Sequence, residues 1–147
     1  MYNGLLHAHS GLRWIALILI IFAVFNAITA KRQGKEFLKK DKMIGLFTLI
    51  AFHTQLLIGL VLLFISPKVV YAEGFMKDAM LRFFGMEHLL MMVISITLIT
   101  IGYSKSKKAA TSELKFKKIT VFYSIALVIL LAGIPWPLRE ALGAGWF

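Results

Sequence analysis

Apolar positions run in four long blocks, about 11–30, 43–66, 79–103 and 119–134, and the polar positions gather in the gaps between them. A helix rises about 1.5 Å per residue, so each block crosses a hydrocarbon core about 30 Å thick or nearly so. Backbone groups in lipid must bond to one another, which makes each block a helix. The pattern therefore predicts an all-α, transmembrane four-helix bundle forming a single domain over 1–147, with spans at 5–30, 43–66, 79–103 and 118–135. Pro67 closes the second span and the Pro135, Trp136, Pro137 cluster closes the fourth. Trp14 and Tyr103 fall where interfacial aromatics sit. The first span lacks a basic segment before its apolar run, and a lysine cluster follows it, so it reads as a retained span rather than a signal peptide.

Composition agrees, with 59% hydrophobic residues. The formal charge of +10 changes the picture only through its distribution. Lys31, Arg32, Lys35, Lys39, Lys40 and Lys42 occupy the first connection, and Lys105, Lys107, Lys108, Lys115, Lys117 and Lys118 the third, so twelve of the 17 basic residues share one side. The positive-inside rule makes that side cytoplasmic and puts both termini on the non-cytoplasmic side, as expected of a bacterial inner (cytoplasmic) membrane protein. The basic loops then meet the headgroups of the lipid bilayer, and no nucleic acid is expected. The absence of cysteine excludes disulfides, iron–sulfur clusters and covalently attached c-type haem.

No internal repeat, phosphate loop, nucleotide fingerprint or nucleophile elbow is present. Chemistry must come from polar groups held at membrane depth, where they are costly and tend to face a cavity, a cofactor or the bundle interior. The candidates are His7, His9, Arg13, Asn26, His53, Gln55, Glu87 and His88. Counted along ideal helices, His53 lies about 16 Å from Lys42, His88 about 25 Å from Lys105 and His9 about 33 Å from Lys31. His53 and His88 thus come to broadly similar depth, on neighbouring antiparallel helices, and suit one haem b gripped between them as axial ligands. Gly59 leaves room for the macrocycle and Phe52 and Phe84 can pack on it, while Met91, Met92 and Ser95 continue the His88 face. Arg13, His9 and Arg82 are candidates for neutralising the propionates. Glu87 needs a cation, with Arg13 or an imidazole of the first helix as partner; a quinone contact would give it a proton-linked role.

Each residue also has a bland reading. His53 and His88 can be neutral imidazoles bonded to neighbouring helices, and His7 and His9 ordinary interfacial residues. Arg13 and Arg82 can snorkel or anchor, the third-span methionines can be packing, and Asn26 and Gln55 can simply join helices.

The pieces HSGLRW at 9–14, FHTQLLIGL at 52–60, MEHLLMMVISITLITIGYSK at 86–105 and IPWP at 134–137 resemble small four-span membrane proteins labelled cytochrome b-like. The resemblance covers nearly the whole chain and implies that His9, His53, Glu87 and His88 occupy the family's motifs. A distant likeness to larger bacterial cytochromes b, in which a histidine opens the first span, makes His9 a competing axial ligand. The chain departs from those proteins in lacking a histidine in its fourth span and enough intramembrane histidines for two haem sites.

The expected function is thus that of a membrane b-type cytochrome holding one haem for electron transfer, with a quinone or respiratory-chain protein as partner, rather than a stand-alone enzyme. A second reading brings His9, His53 and His88 onto one zinc, copper or iron ion. The depth difference of about 17 Å between His9 and His53 weighs against it, because metal ligands converge within about 2.0–2.2 Å of the ion. A third makes the chain a non-catalytic subunit of a larger membrane complex.

Overall fold

The computed structural model describes residues 1–139 and 142. Four helices carry the chain: α1 (Tyr2–Arg32), α2 (Lys39–Ile65), α3 (Ala79–Lys108) and α4 (Ser112–Gly133). All four are long and apolar enough to cross a membrane, and no strand occurs among the described residues. Three of them overrun the apolar blocks at their lysine-rich ends: α2 begins at Lys39, α3 continues to Lys108 and α4 begins at Ser112. Hydropathy marks where a helix meets lipid. Lysine is a good helix former whose stem lies along the helix while its ammonium reaches water, so the backbone stays helical past the apolar limit.

Local signals set the ends. α1 stops at Gly34, whose φ of 63° lies in the left-handed region, and Lys35 N then donates to Ala30 O at 3.0 Å, the 6→1 bond of a Schellman stop. Asp41 caps the start of α2, accepting from Leu38 N at 2.9 Å, and its other oxygen accepts from Asn26 Nδ2 of α1 at 2.8 Å. Asn26 therefore joins two helices, through a carboxylate only 6% exposed. Asp41→Ala leaves both donors without their acceptor and is expected to lower stability by about 1–3 kcal/mol. Asn26→Ala should add little on top of it. Thermal unfolding of the detergent-solubilised single and double variants measures both.

α1 packs against α2 and α4, α3 packs most extensively on α4 and less on α2, and α1 and α3 face each other across the diagonal. The buried residues recur at alternating spacings of three and four: Ala16, Ile20, Ala23, Ala27 and Ala30 on α1, and Phe116, Ile119, Tyr123, Ala126, Leu130 and Gly133 on α4. This is the seam of nearly parallel helices packing ridges into grooves. Small residues on it let backbones approach, as helices in lipid require. The opposite faces expose Ile18, Phe22, Phe25, Leu57, Phe64 and Val128, an apolar surface suited to acyl chains.

α3 is interrupted once. Asp78 caps its start, accepting from Leu81 N at 2.8 Å, and Phe83–Glu87 then form a π-helical turn directly before His88. Such wide turns are frequent at functional sites.

Candidate functional site

A cavity of about 190 Å³ lies between α1, α2 and α3 at the end of the bundle away from the lysine-rich connections, with the end of α4 closing one side. On α1 its wall carries His9 and Arg13, one turn apart; on α2, Phe52, Gln55, Leu56 and Gly59; on α3, Phe84, His88, Met92 and Ile96. The 3–4 spacing on each helix aims these side chains at one volume. Lys68 and Val69, just after α2, complete the rim.

The pair of histidines that the structure brings together is His9 and His88. Their ring centroids are 6.3 Å apart and their planes cross at 77°. His88 Nδ1–H donates to the carbonyl of Gly133 at 2.7 Å, which fixes the tautomer and leaves Nε2 with its lone pair. Phe83, almost fully buried, lies 5.8 Å from the His88 ring and supports it from outside the cavity. At Gly59 a Cβ would lie 3.2 Å from His9 Cε1, so this glycine makes room for the His9 ring.

His53 is not part of this group. It is exposed, absent from the cavity wall, and its Nδ1–H donates to Leu49 O of its own helix at 2.8 Å. The expected His53 and His88 pairing rested on depth, and depth says nothing of direction. Adjacent helical residues diverge by about 100°, so once Phe52 and Gln55 face the cavity, His53 and Thr54 face away. Counted from Lys108, where α3 ends, His88 lies about 30 Å along an ideal helix, close to the depth of about 33 Å that places His9 above Lys31. His7 is exposed.

Glu87 finds its cation in neither Arg13 nor an imidazole. Arg82 Nε donates to Glu87 Oε1 at 2.6 Å, and Arg82 Nη1 donates to Met76 O at 2.9 Å. The wider turn of the π segment, with its i→i+5 bonding, brings Arg82 and Glu87 nearer one face than a plain α-helix does at this spacing. Neither residue lines the cavity, so Arg82 is not placed as an anion contact there. Arg13 does line it, with its Cζ 5.0 Å from the Trp14 ring centroid. Among the described residues no three of His, Cys, Asp and Glu form a group that could hold a metal ion, so His9, His53 and His88 do not assemble the three-imidazole site.

Sequence reasoning misses two site residues: Lys68, whose one signal is a cation directly after Pro67 on the lysine-poor side, and Gly133, which acts through a main-chain carbonyl and gives none.

His9 and His88 share the cavity wall with the rings of Phe52 and Phe84, with Arg13 one turn from His9 toward the lysine-rich end of α1 and Lys68 at the opposite rim. The wall thus combines two imidazoles, two aromatic rings and two cations around one volume. No protein-family model matches the chain, and neither a curated protein nor a solved structure does.

Proposed function

We propose that the chain is an integral membrane b-type cytochrome that holds one haem between its transmembrane helices and carries electrons. The observation that carries this reading is the His9 and His88 pair on the wall of one cavity, ring centroids 6.3 Å apart, the two imidazoles that would hold the haem iron. A bound haem supplies one-electron redox chemistry whose potential depends on its axial ligands, their hydrogen bonds and burial. The chain's own residues bind and orient. His9 and His88 offer imidazole nitrogens, the Gly133 carbonyl holds the His88 ring in register, and Phe52 and Phe84 offer faces for packing. Arg13 and Lys68 are the cations of the cavity wall that would meet the propionates, where the sequence suggested Arg13, His9 and Arg82.

In this reading the lysine-rich connections lie on the cytoplasmic side of a bacterial inner membrane and both termini on the other. The cavity then sits toward the outer leaflet, and a quinone or respiratory-chain protein in the same bilayer is the class of redox partner such a carrier meets.

The test is an absorption spectrum of protein purified in mild detergent, oxidised and then dithionite-reduced, with metal analysis of the same sample. A sharp Soret band with reduced α and β bands and one iron per chain is the expected result. A correctly folded, haem-reconstituted sample that stays colourless and iron-free removes the reading.

A further inference from the structure

His88 has an acceptor for its Nδ1–H, and His9 lacks one in the described structure. His9 Nδ1 is buried without a hydrogen-bond partner, and so is Gln55 Oε1 in the same cavity wall. Gln55 is only 9% exposed, and its Nε2 donates to His9 O at 2.9 Å. Only the amide nitrogen can donate to a carbonyl, so this bond fixes which end of the carboxamide is which, and the oxygen is left over as an acceptor with no donor. A Cβ at Gly59 would lie 3.2 Å from His9 Cε1 and 3.8 Å from His9 Nδ1, so the Nδ1 edge of the ring faces α2. Gln55 stands one turn from Gly59 on that face of α2.

We propose that Gln55 is the positioning residue for His9, its carboxamide oxygen accepting the Nδ1–H that a His9 coordinating through Nε2 must carry. The inference rests on the haem reading and deepens it. A metal-bound imidazole whose second nitrogen donates to a fixed acceptor is held in one tautomer and orientation and becomes a more basic ligand. The two histidines are then supported from two helices, His88 by a main-chain carbonyl of α4 and His9 by a side chain of α2. The bond from Gln55 Nε2 to His9 O fastens the same residue at its backbone, so one amide controls both the position of the helix and the rotation of the ring.

The two roles of Gln55 separate by substitution. Gln55→Glu and Gln55→Leu both lose the donor to His9 O, and only Gln55→Glu keeps an acceptor. In the haem-loaded protein, Gln55→Leu is expected to release haem to apomyoglobin about 10–100-fold faster than wild type, the usual cost of removing a group that orients a metal ligand. Its midpoint potential should rise. Gln55→Glu should release haem near the wild-type rate with a lowered potential. Wild-type behaviour of Gln55→Leu, or equal haem loss from both variants, overturns the acceptor role. A wild-type protein that binds no haem overturns the proposed function itself, and this is seen in its spectrum before any Gln55 variant is made.

Discussion

Replacing His88 with Ala should abolish the reduced α and β bands of the haem-loaded protein, and replacing His9 should do the same, while His53→Ala leaves the spectrum unchanged. Losing only a hydrogen bond that orients a ligand costs about 10–100-fold in metal affinity, and losing the ligand costs more. His53 belongs to the outer face of α2 and is bonded to its own helix, so its removal touches nothing in the cavity. The comparison is internally controlled, because all three changes delete one imidazole from one membrane span. A His53→Ala spectrum that collapses while His9→Ala stays intact would reverse the assignment. Gel filtration of each variant separates ligand loss from misfolding.

The second large effect concerns stability. A Cβ at Gly102 would lie 2.6 Å from Phe122 Cβ and 3.3 Å from both Phe122 Cγ and Tyr123 Cδ1. Phe122 Cβ is fixed to the α4 backbone and cannot swing aside, so Gly102→Ala must push α3 and α4 apart along the most extensive helix pair of the bundle. Overpacking of this kind costs about 1–3 kcal/mol, which for a chain of this size lowers the melting temperature by roughly 2–10 °C. Gly11→Ala makes the opposite case. Nothing lies within 4 Å of its Cβ, and Ala is the better helix former by about 1 kcal/mol, so this variant should melt no lower than wild type. Equal melting of the two variants would show that α3 and α4 do not meet closely at Gly102.

Four apolar blocks were enough to give the helices, because length and hydropathy in lipid leave no alternative. Which face of each helix looks inward was harder to see. In a soluble bundle the apolar face is the inner one, but here the outer face is equally apolar, as acyl chains would require, so hydrophobicity carries no direction. The inward stripe is marked instead by small and polar residues interleaved with apolar ones at 3–4 spacing, as in Ser95, Ile99, Gly102 and Ser106 on α3, or Gly45, Thr48, Phe52 and Gln55 on α2. Followed along α2, that stripe selects Gln55 and passes His53 by. His88 and His9 were legible as candidates by type. Their meeting depended on helix ends and on the π turn, neither of which the hydropathy pattern encodes.

That π turn also shapes one side of the cavity. A turn of this kind holds one residue more than an α-helix needs, and losing that residue would restore the ordinary period while rotating everything on its N-terminal side by about 100°. The portion from His88 to Lys108 would keep its phase, and the change would fall on Phe83 and Phe84, on Arg82 and its ion pair with Glu87, and on the 66–78 connection. The extra residue thus sets how Phe84 and the rim carrying Lys68 are presented to His88, and its loss would re-aim that side of the cavity without turning the imidazole.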